Sequence, residues 1–243
     1  MRGHYDGLTR GTARLSPDGI EGEALQSLLR KVHLLMTVAL GVTALFAWIC
    51  AGRGLFSLVE VDGEVSMAMS EYWIGAIVAE IVVVLILIFG IEKLNTLAAF
   101  VLFLAYSALN GVTITPVVMA YTGGSVVLAF GVTAGTFLGM SIYGYVTKRD
   151  LDTIGAFFAM ALLGLIIAMV LGFFLQSEFY DMLISGAAVI VFCGLTAWDT
   201  QKIKKGKIPG ARSGNQVVFG ALMLYLDFIN LFLHLLRLVG NKK

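Results

Sequence analysis

Three carboxylates fall inside long apolar runs of this 243-residue chain: Glu80, Asp199 and Asp227. An Asp at the centre of a membrane helix costs about 2.5–3.5 kcal/mol on insertion scales, so none of the three is expected to face lipid. Asp227 lies ten residues into the run VVFGALMLYLDFINLFLHLLRLVG, where so short a side chain has no route to water. Asn230, His234 and Arg237 follow it at spacings of three, four and three, which puts all four on one helical face. Asp199 sits in LTAWDTQKIKKGK, about one turn from the end of its run, with Lys202 and Lys204 close behind.

If Asp199 and Asp227 meet, their chemistry is constrained. Two like charges in a poorly solvated site cannot both ionise cheaply, so the pair would share one proton. That proton ties two helices together by a hydrogen bond. Its loss replaces the tie with repulsion and opens the oxygens to a hard cation such as Ca²⁺. A plainer reading stands beside this one, with Asp199 an interfacial residue touched by water and Lys202 or Lys204. His234 and Arg237 likewise read either as part of a polar stripe or as residues near the membrane boundary, Arg237 reaching water.

The elements that must position these groups follow from composition. The chain is 58% apolar and only 14% charged, with a mean hydropathy of +0.89. Seven runs of about 20 apolar residues are long enough to span a bilayer, at roughly 32–52, 72–91, 96–119, 124–146, 153–175, 182–201 and 217–239. The expected fold is all-α, a polytopic seven-helix membrane bundle, with residues 1–27 a flexible cytosolic tail and 28–243 the membrane domain. No secretory signal pattern is evident.

Basic residues cluster on one side. Arg2, Arg10, Arg14, Arg30 and Lys31 precede the first run, Lys93, Lys148 and Arg149 follow the second and fourth, and five more lie between 202 and 212. Only Arg53, Arg237, Lys242 and Lys243 fall on the other side. The bias puts the N-terminus in the cytosol and, after seven crossings, the C-terminus outside. A re-entrant last segment is the alternative that its basic end keeps open. The net charge of +1 and the lack of a basic aromatic patch give no reason to expect nucleic acid. Cys50 and Cys193 each lie in an apolar run and read as packing residues rather than as a metal or disulfide framework.

LTAWDTQKIK at 195–204 and LYLDFINLFLHLLRLVG at 224–240 closely resemble the two signatures of the transmembrane Bax inhibitor motif family, and SIYGYVTKRDL at 141–151 resembles its bacterial members. The resemblance covers the chain from about residue 25 onward. It implies a bundle whose last helix is central and wrapped by the other six. It also implies a pH-sensitive Ca²⁺ leak in which Asp199 and Asp227 are the proton-sharing, ion-binding pair and Glu80 contributes to the pore. Asn230 and His234 are expected to belong to the same pore or gate. Bacterial members carry a basic residue near the cytosolic end of helix two that pairs with one aspartate. Here Ile91 stands at that spacing and Lys93 lies two residues on, which makes Lys93 the candidate substitute.

The resulting expectation is a non-enzymatic Ca²⁺ leak in a bacterial plasma (inner) membrane, with the bilayer, Ca²⁺ and protons as its partners and no bound cofactor. The alternative is a regulator that binds another membrane protein, for example a protease, with the aspartates serving structure. An intramembrane aspartyl protease would also place two aspartates on adjacent helices. Its second motif needs small residues before the aspartate, where this chain has the bulky MLYL. Gly131, Gly135 and Gly139 show small-xxx-small spacing and are expected to pack inside the bundle. Asn110, Thr113, Thr115 and Pro116 are expected to pack, kink their helix or line a cavity, and the acidic segment 53–71 is expected to be a solvated loop.

Overall fold

A computed structural model describes residues 17–53, 56–61, 64–69, 71–175, 177–210 and 212–243. The chain forms α1 (Pro17–Gly52), β1 (Phe56–Val61), β2 (Glu64–Met69), α2 (Glu71–Gly90), α3 (Thr96–Met119), α4 (Gly123–Val146), α5 (Asp152–Leu175), α6 (Glu178–Lys204) and α7 (Ser213–Val239). All seven helices among the described residues are long and apolar enough to cross a membrane, and their bounds fall close to the seven runs read from the sequence. The protein is therefore an integral, multi-pass helical membrane protein.

Two expectations for the segments outside the seven runs change. Helix α1 begins at Pro17, where proline's fixed φ suits a first helical turn, so helix already occupies part of the expected 1–27 tail. Residues 1–16 lie outside the described residues. The acidic segment after α1 pairs β1 with β2 antiparallel, from Phe56 opposite Met69 to Val61 opposite Glu64. The signal was present in the sequence: Asp-Gly at 62–63 between two alternating runs is a strong hairpin indicator.

The last helix is the core of the bundle. Within its most apolar 18-residue stretch 72% of residues are buried, against 6% and 11% for the corresponding stretches of α2 and α5. It packs on α1, α3, α4 and α6, while α2 leans mainly on α3 and α5 on α6. Centrality thus holds, but four helices, not six, form the principal sheath. The physical reason lies in composition: α2 and α5 are apolar nearly all round, so lipid solvates them as well as protein would.

Both ends of α7 are tied down. Asn215 is wholly buried, accepts from the Thr96 hydroxyl at 2.8 Å and donates to the carbonyls of Ile91 and Leu94 at 2.7 and 2.9 Å. At the far end Tyr121 and Lys242 form an antiparallel bridge, the Thr122 amide donates to Asn241 O, and the Lys243 amide to Ala120 O. Helix α7 therefore runs from the α2–α3 turn to the α3–α4 connection. That is a complete crossing, which removes the re-entrant alternative and puts the C-terminus at the face opposite the α2–α3 turn.

Close approaches occur where glycine meets backbone. A Cβ on Gly144 of α4 would collide with the Ala197 backbone of α6, and one on Gly111 of α3 with Thr43 O of α1. The Gly131, Gly135 and Gly139 stripe behaves otherwise: all three are exposed, with open space where a Cβ would stand. The packing face of α4 is the opposite one, carrying Ala129, Thr133, Phe137, Ser141 and Gly144. Small-residue spacing marks a surface permissive of close approach, and here no helix occupies it.

Candidate functional site

The C-terminal half of α6 distributes its residues among three neighbours. Ala197 lies against Gly144 of α4, and the Trp198 ring lies against Gly155 of α5 with its Nε1 donating to Asp152 Oδ1 at 3.1 Å. Thr196, Asp199 and Ile203 repeat at helical spacing and are buried. Asp199 is 7% exposed and Asp227, on the facing helix, 4%. The charges bearing on Asp227 are those of Asp199 and Lys202, and the Thr196 hydroxyl lies beside it. Thus α6 and α7 bring both aspartates into one buried pocket of charge.

Within that site the two carboxylates are unequal. Asp199 Oδ1 is 2.7 Å from Lys202 Nζ, three residues on in the same helix. The ammonium also stands 3.6 Å above the Trp198 ring, so a carboxylate and a π-face share its charge. Asp227 Oδ2 is buried without any hydrogen-bond partner among the described residues. An orphaned buried carboxylate oxygen is costly, and the cheapest remedy is a proton or a cation on it. Two carboxylates and one ammonium sum to a single negative charge, so one proton makes the cluster neutral.

The remaining candidates sort into separate places. Glu80 is far from idle: Oε1 accepts from Asn110 Nδ2 at 2.5 Å and Oε2 from the Thr113 hydroxyl at 2.6 Å. Asn110 Oδ1 in turn accepts from the Tyr225 hydroxyl at 3.0 Å, and Tyr225 shares a 2.6 Å hydrogen bond with Thr43. A polar chain therefore runs from α2 through α3 and α7 to α1, meeting α7 two residues before Asp227. Asn230 donates back to Leu226 O of its own helix at 2.8 Å. His234 is buried, 3.3 Å from Ser185 Oγ and stacked on Phe192, while Arg237 is exposed. Lys93 is exposed in the α2–α3 turn, and no carboxylate among the described residues pairs with it. Ile91, where the resemblance led us to expect a basic residue, is 2% exposed and packs in the core. The counter-ion of Asp199 thus comes from its own helix and not from α2.

Sequence reasoning passed over Gln201, Lys205 and Lys207, which strap the α4–α5 connection to α6. Gln201 is 3% exposed, accepts from the Leu151 amide and donates to Arg149 O, each at 2.9 Å. Lys205 and Lys207 reach Asp150 and Asp152 at 2.8 Å. Lys205, together with the Asp152 amide, holds the Asp150 carboxyl below the usual range, and Asp152 holds the Lys207 ammonium above its own. A usable signal was the glutamine itself, a polar residue inside a helix end otherwise rich in lysine. Among the described residues no three His, Cys, Asp or Glu gather as a metal cage. Any ion held here would rest on the two aspartates and on backbone or water oxygens.

A family model described as inhibitor of apoptosis-promoting Bax1 matches residues 25–243. The chain is 41% identical over 224 residues to the inner membrane protein YbhL of Escherichia coli strain K12, covering 90% of this chain and 93% of that one. It is 40% identical over 220 residues to a protein of Borreliella burgdorferi (88% of this chain, 92% of that one). A protein of Deinococcus radiodurans is 37% identical over 206 residues (82% and 88%).

Proposed function

The chain belongs to the family described as inhibitor of apoptosis-promoting Bax1, and on that premise we propose that it is a proton-controlled leak for a divalent cation, Ca²⁺ being the expected ion. The observation carrying this reading is Asp227 Oδ2, buried and unpartnered in a site where the other charged groups are Asp199 and Lys202. With one proton on the pair the cluster is neutral and α6 and α7 stay together. Loss of the proton leaves net negative charge between two packed helices, which drives them apart and favours entry of a cation. Lys202 competes with that cation for Asp199, so passage requires its ammonium to swing away. The leak is placed in a bacterial inner membrane, and no catalytic step is assigned to the carboxylates.

The test is Ca²⁺ flux from dye-loaded proteoliposomes across a pH series. Wild-type protein is expected to pass Ca²⁺ with a steep pH dependence that Asp199→Asn and Asp227→Asn each alter. Absence of flux at every pH, or identical profiles for the variants, overturns the leak.

The Asp199–Lys202 ion pair favours a second reading, because it already neutralises one carboxylate within a single helix. On that reading the aspartates stabilise the bundle, and the protein acts by binding another membrane protein. A stoichiometric partner on mild-detergent purification, with no flux from the protein alone, would support it over the leak.

A further inference from the structure

Helices α1 and α4 both pack on α7 but make little contact with each other, and a cleft of about 320 Å³ opens between them. Along α1 its lining runs from Leu40 to Ala51, a rise of roughly 16 Å, about half of the ~30 Å hydrocarbon core. The cleft thus spans one leaflet, from the bilayer midplane to the face that carries the C-terminus. Its mouth is apolar and lipid-facing, with Ala44 exposed, Phe130 51% exposed and Trp48 75% exposed. Its floor is shared by α3, through the buried Ile114 and Thr115, and by the central helix, through Phe228, Ile229 and Phe232, each of these three no more than 6% exposed.

Two basic residues lie at the outer end, which also carries the acidic segment after α1. Arg53 follows Ala51 by two residues and its amide caps α1 through Ile49 O. The Lys243 amide donates to Ala120 O, next to the lining residue Met119. Both side chains are exposed, and neither pairs with a carboxylate among the described residues. An apolar slot one leaflet deep, with two basic residues following its lining at the outer end, has the chemistry of a phospholipid.

We propose that this cleft is a phospholipid site, with one acyl chain between α1 and α4 against α7 and the phosphate held by Arg53 and Lys243. The chain would fill space that packed protein leaves empty, each buried methylene contributing favourably. It would touch α7 on the turn that carries Asp227, beside Thr43, which is bonded to Tyr225. Occupancy would then brace the central helix, whether or not the protein conducts an ion.

The test is photolabelling in vesicles of phosphatidylcholine and phosphatidylglycerol doped with a phospholipid bearing a diazirine on its acyl chain. Adducts are expected on the α7 peptide containing Phe228–Phe232, which bulk lipid cannot reach, besides the outward face of α5 near Phe157 and Ile167. Adducts confined to outward faces overturn the site. Ala44→Phe, at the mouth, should cut α7 labelling several-fold while α5 labelling persists. Undiminished α7 labelling in that variant overturns the cleft as the route. Should Ala44→Phe fail to fold, Phe130→Ala widens the mouth and should raise α7 labelling, and no change would count against the site. Arg53→Gln with Lys243→Gln should lower α7 labelling, and unchanged labelling overturns the headgroup assignment.

Discussion

Lys202 Nζ lies 2.7 Å from Asp199 Oδ1 within a single helix, while Oδ2 of Asp227 across from it has no hydrogen-bond partner among the described residues. One carboxylate of the buried site thus has a counter-ion within its own helix and the other has no hydrogen-bond partner on Oδ2. This asymmetry defines the first prediction. A cation nearby favours the ionised pair, so Lys202→Met should make the pair hold its proton to higher pH. The midpoint of Ca²⁺ flux in proteoliposomes should move to higher pH. A midpoint that stays in place, or moves down, means that Lys202 does not set the charge state of the site.

The Glu80–Asn110–Tyr225–Thr43 chain gives a second. Tyr225→Phe removes the hydroxyl that joins Asn110 to Thr43 in a fully buried setting. The expected loss is about 1–3 kcal/mol, because Asn110 Oδ1 is left buried without its donor. Thermal unfolding in detergent should show the lowered Tm. Thr113→Val, which removes one of the two donors to Glu80, should cost less, since Glu80 keeps Asn110.

Close packing gives a third. Gly144→Ala places a methyl into the Ala197 backbone, and α4 and α6 must separate just where Trp198 and Asp199 begin. Overpacking of this kind costs about 1–3 kcal/mol. Gly139→Ala adds a methyl to open, lipid-facing space on the same helix and should leave Tm unchanged. Equal effects from both would refute the assigned packing face of α4.

The strap on α6 gives a fourth, with its sign set by Asp150. Its carboxyl is depressed by Lys205 and by the Asp152 amide, so its contribution is present above the unfolded pKa and lost as pH falls through the folded one. At pH 7 Asp150→Asn should lower Tm slightly, and the difference should hold down to about pH 4 and shrink only as pH falls further. The pair is exposed, 32% and 66% at its side chains, so about 1 M salt should also erase it. A difference insensitive to both pH and salt would assign the effect to something other than this ion pair.

Length and apolar periodicity alone determined seven spans, and their bounds needed no tertiary information because a bilayer demands about 20 apolar residues per crossing. The hairpin after α1 was present as a local signal, Asp62–Gly63 between two alternating runs, although the segment was expected to be a loop. Burial of Asp227 followed from depth within its run. What each polar group meets did not follow. Asp199 found Lys202 on its own helix, Glu80 went to Asn110 and Thr113, Asn230 turned back to Leu226, and the glycines of α4 faced lipid. Lys93, the expected substitute for a basic latch residue, stayed exposed while Ile91 took the core. In an all-apolar helix every face is equally suited to lipid or protein, so hydrophobicity cannot choose the inward one. That choice was made by interhelical packing and by the few buried polar groups, whose partners are brought together only when the other helices assemble around α7.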